Sequence, residues 1–502
     1  MTRPEATEVD VAIVGYGPVG EVLANLLGAA GLSVAVFERE ASVYHAPRAG
    51  HIDGEVMRIV QTLGLAAEVE AVTVPWKGMR FVNAAGNMLV ERPGPTAPGP
   101  QGWLDDLYFH QPDLEKCLRR GVERYPNVAV HLRHDVFAID ESPQAVTLRV
   151  EDLANGELRT VQAGYVVGCD GARSLVRRLI GTRQYDFGLH QPWLVLDLIR
   201  TRPVALPEYT TQYCDPARPM TYIHPRGDRL RWEIMVMPGD DPARMTRPEV
   251  FWPLVSRWVG PQDAQLERAV IYTFHSLVAD TWRRGRLIIA GDSAHQMPPF
   301  LGQGLCAGAR DAFNLAWKLV RVVRGDSPPS LLDSYGPERK GHVSAVIDLA
   351  VRLGAVIQTT DRDVAARRDQ IFATEGPEQV PQVRTLPIGA GIHDGPAPAG
   401  TLFPQPRLVD GSLFDDMVGY RFAVVGEQSL LDRADADVRD AWRQLDARVI
   451  PADSPEIRSW LSGHGACAAI VRPDRFVAGT ARTMPELGAL AIRLAQRVGC
   501  PA

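Results

Sequence analysis

The first forty residues combine two apolar runs with a glycine-rich turn and a helical pattern. Residues 9–14 are apolar and rich in β-branched side chains, and residues 15–20 read GYGPVG. Leucines at helical spacing follow, and a second apolar run, residues 34–37, ends at Glu38. This order of strand, glycine turn, helix, strand and acidic residue predicts a βαβ unit that binds a dinucleotide.

Two later segments repeat the pattern of a buried strand that ends in a glycine–aspartate pair. One runs through residues 165–171 and contains Asp170, and the other runs through residues 287–292 and ends at Asp292. A turn rich in proline and glycine, residues 298–304, then leads into an amphipathic helix. Between the two segments, short β-like runs alternate, which predicts an inserted sheet over residues 186–275.

The pattern changes again after residue 358. Residues 359–406 are polar or rich in proline and glycine, which is typical of a linker. The rest of the chain mixes strand-like and helical segments and predicts a small α/β domain. The predicted divisions are a dinucleotide-binding domain in two parts (1–185 and 276–358), the inserted sheet (186–275), the linker (359–406) and the C-terminal domain (407–502).

Composition and charge narrow the class of protein. The 502 residues are 45% hydrophobic and 23% charged, with 54 Lys plus Arg against 60 Asp plus Glu and a net charge of −6. These values are ordinary for globular proteins and argue against nucleic-acid binding. The six cysteines form no CxxC pattern, so neither a metal site nor a redox disulfide is predicted. Without a secretory pattern or a run of about 20 apolar residues, we expect a cytoplasmic protein that does not enter membranes.

The glycines and aspartates suggest the cofactor. Gly15 permits the tight turn, Gly17 lets the backbone approach a pyrophosphate, and Gly20 lets the helix pack closely on the strand. Glu38 is placed to accept hydrogen bonds from the adenosine ribose. An aspartate at a strand end can reach a ribityl hydroxyl, and free N–H groups at residues 302–306 can stabilise negative charge on a reduced flavin. The sequence therefore predicts FAD.

Three motifs, taken in order, resemble those of a known family. They are GYGPVG with Glu38-Arg39, CDGARSLVR at 169–177, and AGDSAHQMPPFLGQGLCAGARDAFNLAWKL at 290–319. The sequence resembles the group A flavoprotein aromatic monooxygenases, the class of p-hydroxybenzoate and phenol hydroxylases, over about residues 9–355. The resemblance implies a Rossmann-like FAD-binding domain, an inserted β-sheet substrate domain as in p-hydroxybenzoate hydroxylase, and a C-terminal thioredoxin-like α/β domain.

The resemblance also implies which residues contact FAD. Arg48 and Gln111 would contact the flavin or its phosphates, Val136 the adenine, and Asp292 the ribityl chain. Asp170 and Arg173 would serve both FAD and the nicotinamide, and the backbone of Leu305 and Cys306 would meet the flavin pyrimidine edge. The full predicted set is Gly15, Gly17, Gly20, Glu38, Arg39, Arg48, Gln111, Val136, Asp170, Asp292, Pro299, Gly302, Leu305 and Cys306.

The activity that this family implies uses O₂ and either NADH or NADPH, which binds transiently. In that family, a flavin C4a-hydroperoxide transfers OH to a phenol. Segments such as PWKGMRF at 75–81 resemble the hydroxyphenylpropionate hydroxylases, so the small aromatic substrate could be an acid of that type. Asp53 matches a position that assists phenol deprotonation; a carboxylate in an apolar pocket has a raised pKa suited to that task, although Asp53 could instead cap a helix.

The inserted sheet is expected to line the substrate pocket. Its candidate residues are Tyr213, Tyr222, His224, Arg231 and Glu233, and an arginine there could pair with a substrate carboxylate. Two alternatives stay open. One is a Baeyer–Villiger or epoxidising flavin oxygenase acting on a larger, polyketide-like intermediate, and the other is a flavin-binding regulator without turnover. The C-terminal domain lacks CxxC, so we expect it to be structural or to support a homodimer.

Overall fold

The computed structural model describes residues 7–43, 49–376 and 386–499. Its first eight-stranded sheet has a parallel centre, with Val11 opposite Tyr165 on one side and Val34 on the other. Val11 is fully buried, as expected for a residue in a central strand of an α/β sheet. From edge to edge the strands are Arg283–Arg284, Leu287–Ile289, Glu157–Gly168, Thr7–Val14, Val34–Glu38 and Val128–Leu132, with the antiparallel strands Val146–Asp152 and His134–Glu141 beside them.

Three helices form the main cover of this sheet. The helix after the glycine turn, Pro18–Ala29, packs between Gln111–Val122 and Gly304–Val323. The carboxyl ends of the parallel strands all meet at one edge, where ligands bind in open α/β sheets. Smaller elements near this edge are the helices Gly54–Thr62, Ala66–Glu70 and Leu175–Ile180, the 3₁₀ turns Gly291–Ser293, Pro299–Leu301 and Pro329–Ser334, and the short strands His51–Ile52, Thr73–Pro75 and Leu107–Phe109.

The second sheet also has eight strands and is larger than the sequence predicts. Two of its strands, Gly78–Asn83 and Met88–Pro93, come from the range assigned to the first domain, so the sheet is not confined to the predicted insertion at 186–275. They join because Gly78–Asn83 pairs in parallel with a strand more than a hundred residues later, a contact that local pattern cannot show. In order the strands are His295–Gln296, Ala264–Ala279, Gln184–Arg200, Arg229–Met235, Met220–Ile223, Thr210–Cys214, Gly78–Asn83 and Met88–Pro93.

Helices cover the outer face of the second sheet and extend beyond its edge. Pro242–Met245 and Pro248–Val255 contribute Met245, Phe251 and Val255 to an apolar layer on that face. A long helix, Tyr335–Ile357, is followed by Arg362–Glu375, which lies beside Met88–Pro93. The predicted linker over 359–406 is therefore wrong in its first part, because Arg368 of this helix is buried and its guanidinium donates to the carbonyl of Cys214.

The C-terminal domain has a four-stranded mixed sheet with helices around it. The strand order is Arg448–Pro451, Ala423–Gly426, Ala468–Val471 and Val477–Ala481, with the first pair parallel and the other two antiparallel. This agrees with the predicted thioredoxin-like α/β domain. Its helices are Phe414–Val418, Gln428–Leu431, Ala436–Gln444, Pro455–Gly463 and Met484–Val498.

Buried ion pairs join the C-terminal domain to the first domain. The carboxylate of Glu338 accepts from Lys318 at 2.6 Å and from Arg472 at 2.7 Å, and Arg472 also donates to Asp474. The pKa of Glu338 is well below its usual range, because the two cations outweigh the effect of burial. Lys318 and Glu338 belong to the first domain, and Arg472 belongs to the C-terminal domain. Each domain thus supplies part of the charge that the buried cluster needs in order to be balanced.

A second ion pair supports the same interface. Arg58, in the helix Gly54–Thr62, donates through Nε and Nη2 to Asp415 at 2.6 and 2.7 Å, and both side chains are buried.

Within the described ranges, no single helix is long and apolar enough to cross a membrane. One bent pair of helices, residues 329–357 with 362–375, has the length and composition of a span when the two are taken together.

Candidate active site

A cavity of about 1910 Å³ lies between the strand ends of the first sheet and one face of the second. Its lining includes Gly15, Glu38 and Asp292 from the first sheet. It also includes Arg231 and Glu233 from the second sheet. Residues that the sequence assigns to the cofactor and to the substrate thus open onto one continuous space.

The glycine turn at the start of the first helix is built as the sequence predicts. Gly15 has φ +100°, which favours glycine, and a Cβ there would lie 2.3 Å from the carbonyl oxygen of Cys169. A Cβ on Gly20 would lie 2.2 Å from the carbonyl oxygen of Gly15. A Cβ on Gly17 would meet no described atom within 4 Å. Gly15 and Gly20 are therefore required by the protein itself, whereas Gly17 leaves room for a ligand to approach the backbone.

Glu38 fixes the glycine turn as well as facing the cavity. Its carboxylate accepts hydrogen bonds from the backbone N–H of Tyr16 at 2.8 Å and of Glu40 at 2.9 Å. One carboxylate thus ties the end of the second strand to the turn after the first. The side chain of Arg39 lies at the rim of the cavity, is 71% exposed, and is 3.5 Å from Glu40.

The two predicted aspartates have different surroundings. Asp170 accepts from the N–H of Leu175 at 2.6 Å and from the hydroxyl of Ser293 at 2.9 Å, so its carboxylate caps a helix and joins the two glycine–aspartate segments. Asp292 faces the cavity and makes no hydrogen bond or ion pair with any described residue. The carboxylate of Asp292 is therefore free for a ligand, whereas that of Asp170 already has protein partners.

The turn before the helix Gly304–Val323 also faces the cavity. Pro299, Gly302 and Leu305 line it, and Gly302 has φ +64°. Cys306 does not line it, because its thiol points towards the carbonyl oxygens of His51 and Gly302, each 3.8 Å away. The side chain of Gln303, at the N-cap position, accepts no hydrogen bond from the first N–H groups of the helix, which leaves these groups available to a ligand.

The remaining predicted cofactor residues lie at the same end of the cavity. Gln111 accepts from the N–H of Ala49 at 2.8 Å and donates to Glu115 at 2.7 Å. Val136 and Arg173 line the cavity too. Arg48 lies outside the described residues.

These observations fit FAD. The open approach to Gly17, the uncapped starts of two helices and the unpartnered Asp292 provide sites for a pyrophosphate, a ribityl hydroxyl and a flavin edge. In the described ranges no group of three or more His, Cys, Asp or Glu side chains is placed to hold a metal ion.

Asp53 does not have the environment that its predicted role as a base requires. Its carboxylate accepts from the N–H of Val56 at 3.0 Å, capping the helix Gly54–Thr62, and forms an ion pair with Arg310. Burial alone would raise its pKa, but Arg310 and His51 outweigh that effect and hold the pKa of Asp53 below its ordinary value. The expected raised pKa is therefore wrong, and the capping alternative describes the geometry.

Two residues at this site have no clear signal in the sequence. His51 lines the cavity, with Nε2 2.8 Å from Asp106 and Nδ1 3.3 Å from the carbonyl oxygen of Gly302. Burial lowers its pKa, but Asp106 and Asp53 raise it above its ordinary value overall. Arg310 pairs with both Asp53 and Glu55. These partners are too distant in sequence for a motif to link them.

The second sheet presents two sets of in-register side chains to the cavity. The first, which we call the central row, crosses six adjacent strands as Val195, Glu233, Thr221, Gln212, Phe81 and Val90. The second, which we call the flanking row, contains Asp197, Arg231, Ile223, Thr210, Met79 and Arg92. Both rows follow from alternation along each strand, which sends every second side chain to the same face.

Three predicted substrate residues do not face the cavity, two of them because of this alternation. Tyr222 is in register with Trp232, and their rings pack 4.8 Å apart on the outer face. Tyr213 packs against Trp258 at 4.7 Å on that face too. His224 lies beyond its strand, in a turn where its Nε2 is 3.1 Å from the carbonyl oxygen of Gly227. None of the three lines the cavity, so their assignment to the pocket is wrong.

Arg231 and Glu233 do face the cavity, but only Arg231 has a hydrogen-bond partner among the described residues. Arg231 donates to Asp197 at 2.7 and 3.3 Å, and Arg268 donates to the same carboxylate at 2.9 Å. The predicted pairing of Arg231 with a substrate carboxylate is therefore replaced by an internal ion pair. Glu233 is 6% exposed and has no hydrogen bond or ion pair to a described residue. Burial raises its pKa, which Arg231 only partly opposes.

Comparison with known proteins identifies the family. The chain matches the FAD binding domain family over residues 8–350 and the HcaD C-terminal domain family over residues 400–495. The chain belongs to the FAD binding domain family. The predicted family resemblance and the prediction of FAD as cofactor are thereby confirmed.

Curated relatives in this family cover nearly the whole chain. A probable NADH-specific resorcinol 4-hydroxylase of Rhodococcus jostii is 37% identical over 98% of this chain and 95% of its own. A 3-(3-hydroxy-phenyl)propionate/3-hydroxycinnamic acid hydroxylase of Mycobacterium sp. is 35% identical over 97% of this chain and 92% of its own. The similarity therefore includes the C-terminal domain.

Solved structures with the same fold confirm the predicted architecture. The flavin-dependent monooxygenase PieE, in complex with FAD and substrate, has a TM-score of 0.84 at 22% identity and covers 99% of this chain and 100% of its own. Aklavinone-11 hydroxylase, with FAD and aklavinone, has a TM-score of 0.82 at 22% identity, with coverage of 99% and 100%. At this identity they establish the fold alone.

Proposed function

We propose that this protein is an FAD-dependent monooxygenase that hydroxylates a small phenol, using O₂ and NADH or NADPH. The observation that carries the proposal is that the side chains of the second sheet face the same cavity as the predicted FAD residues. Nearly full-length similarity to hydroxylases of resorcinol and of hydroxyphenylpropionate supports the reaction class. The name of the Rhodococcus relative favours NADH as the electron donor.

The first sheet would hold the cofactor through its strand ends. Gly17 and the start of the first helix bind the pyrophosphate, Glu38 accepts from the ribose, and Asp292 meets the ribityl chain. The turn at Gly302 and the start of the following helix face the flavin edge. When bound, FAD would supply the redox chemistry, namely hydride acceptance from the nicotinamide and activation of O₂.

The residues around the substrate orient it and exclude water. Trp76, Phe81, Phe274 and Phe300 line the cavity and offer apolar surface to an aromatic ring. Asp53 is a positioning residue in this proposal, since its carboxylate is bound to Arg310 and to Gln303, which precedes the flavin-facing helix. Glu233 supplies the unpartnered polar group on the opposing sheet.

The proposal is tested by loading the protein with FAD and measuring NADH and NADPH oxidation with a panel of phenols. We expect at least one phenol to accelerate oxidation and to yield hydroxylated product nearly one for one, with little hydrogen peroxide. Gln212→Leu, on the cavity face, should shift the yield towards peroxide, whereas Tyr222→Phe, on the outer face of the same sheet, should not.

A second candidate reaction rests on the size of the cavity. Its volume of about 1910 Å³ exceeds the range of about 300–1,000 Å³ that is usual for ligand sites, although FAD must occupy part of it. A larger, polyketide-like ketone or alkene is therefore the next panel if every phenol gives only peroxide. FAD that binds but is reduced by neither nicotinamide would instead support the flavin-binding regulator.

A further inference from the structure

Glu233 is unusual among the buried carboxylates of the cavity wall. It lies in the middle of the central row, between Val195 and Thr221 on the neighbouring strands. Asp197, in the flanking row, accepts from two arginines, whereas Glu233 accepts from no described residue. A buried carboxylate without a donor is costly, so its retention suggests that a ligand supplies the missing hydrogen bond.

The charged side chains near Glu233 leave no excess positive charge to bind the carboxylate of a ligand. Asp197 and Glu233 carry two negative charges, and Arg231 and Arg268 carry two positive ones. Both arginines already donate to Asp197. A ligand carboxylate placed beside Arg231 would lie close to two buried carboxylates at once, those of Asp197 and Glu233. Like charges in such a place repel strongly.

The other polar groups of the central row also suit a neutral ligand. The hydroxyl of Thr221 donates to Oε1 of Gln212 at 2.5 Å, which leaves the amide N–H₂ of Gln212 without a partner among the described residues. Glu233 therefore offers an acceptor and Gln212 a donor along one row. Hydroxyl groups, which both donate and accept, match this arrangement.

From this arrangement we propose that Glu233 determines substrate class: its carboxylate accepts a hydrogen bond from a hydroxyl of a neutral phenol and disfavours phenols that carry a carboxylate. The inference rests on the proposed function and refines it. The raised pKa of Glu233 has the same origin, because burial without a donor destabilises the charged form until a ligand hydroxyl approaches.

One cation on this wall could still receive an acid. Arg92, in the edge strand Met88–Pro93, faces the cavity at the end of the flanking row and has no described hydrogen-bond or ion-pair partner. Its strand is four strands away from that of Glu233 in the sheet order. Binding of an acid at Arg92 is therefore distinct from binding at Glu233, and the variant Arg92→Gln distinguishes the two.

The experiment compares two ligands of nearly the same size and shape, the anion 3-(3-hydroxyphenyl)propionate and its neutral primary amide. Their dissociation constants are measured from the flavin absorbance of the FAD-loaded protein at about pH 8, together with that of resorcinol. We expect the wild type to bind the amide at least about tenfold more tightly than the acid. In Glu233→Gln, the amide-to-acid preference should fall to within about twofold, and resorcinol should bind about fivefold more weakly.

Several results would overturn the inference. They are equal or tighter binding of the acid by the wild type, an unchanged preference in Glu233→Gln, or no binding of either neutral phenol. If the acid is preferred and Arg92→Gln removes that preference, the acid binds at Arg92 and Glu233 does not set the class. Failure of the proposed function looks different: the charge preference is found, but no phenol yields hydroxylated product.

Discussion

Asp53 and Glu233 are buried carboxylates that open onto the same cavity from two different regions. Asp53 caps a helix, accepts from the N–H of Val56 and pairs with Arg310. Glu233 lies in mid-strand and has no described donor. Burial acts on both in the same direction, yet the pKa of Asp53 is lowered and that of Glu233 is raised. The neighbours of a buried acid, and not its depth, decide which form is stable.

The largest expected effect on stability comes from removing the arginine that pairs with Asp53. Arg310→Leu leaves Asp53 and Glu55 without their common cation, so the free energy of unfolding should fall by about 3–5 kcal/mol. Urea denaturation measures the change. Arg92→Leu is the matched control, because Arg92 has no described partner; its change should stay within about 0.5 kcal/mol. Equal losses in the two variants would contradict the contrast.

The glycine turn offers a similar contrast between engaged and open positions. Gly20→Ala places a Cβ against the carbonyl oxygen of Gly15 and should destabilise the protein by about 1–3 kcal/mol as well as weaken FAD binding. Gly17→Ala meets no described atom, so it should weaken FAD binding while the FAD-free protein keeps its melting temperature. Thermal unfolding with and without FAD distinguishes the two. A lower melting temperature of FAD-free Gly17→Ala would show that Gly17 is structural.

A smaller effect tests the opposite pKa shifts. The lowered pKa of Asp53 gives stability that is present above the ordinary Asp pKa and is lost as pH falls through the folded-state value. The raised pKa of Glu233 costs stability as pH rises from the ordinary Glu pKa through the folded-state value. Unfolding of the wild type and of Glu233→Gln between about pH 4 and about pH 8 should therefore show the variant gaining on the wild type as pH rises. Asp53→Asn should become less stable relative to the wild type as pH rises from the folded-state pKa of Asp53 to the ordinary Asp pKa. Free-energy curves that stay parallel to that of the wild type would refute the two assignments.

The smallest effects are expected on the outer face of the second sheet. Tyr213→Phe and Tyr222→Phe should change KM for the phenol by less than about twofold and stability by less than about 0.5 kcal/mol. The Tyr222 hydroxyl is buried without a partner, so its removal breaks no hydrogen bond. Steady-state kinetics provides the measurement, with Gln212→Leu as the cavity-face comparison. A tenfold change in KM for either tyrosine variant would place that face at the substrate.

The cofactor end was predictable because its determinants are local. The turn, helix and strand around Gly15, Gly20 and Glu38 follow one another within 24 residues, from 15 to 38, and the structure builds them as expected. The failed prediction for Asp53 has a non-local cause. Arg310, which lowers its pKa, is 257 residues away, so no local pattern reveals the ion pair.

The substrate wall was harder to predict for a different reason. Alternation shows that Arg231 and Glu233 share a face and that Trp232 lies on the other, but the sequence does not say which face is inward. That choice depends on the helix at Pro248–Val255 covering the other side. The two strands from residues 78–93 and the helix Arg362–Glu375 were missed because their partners lie far along the chain.

The cluster of Glu338, Lys318 and Arg472 has a consequence for how the molecule unfolds. If the C-terminal domain melted first, Arg472 would leave with it, and Glu338 and Lys318 would remain together in a newly wetted surface. Melting of one domain alone would therefore lose the interface contacts and leave the other domain with a charge cluster that lacks one of its members. Calorimetry should therefore record one heat-absorption peak for both domains, and a chain cut short near residue 400 should be harder to express in soluble form than the whole protein.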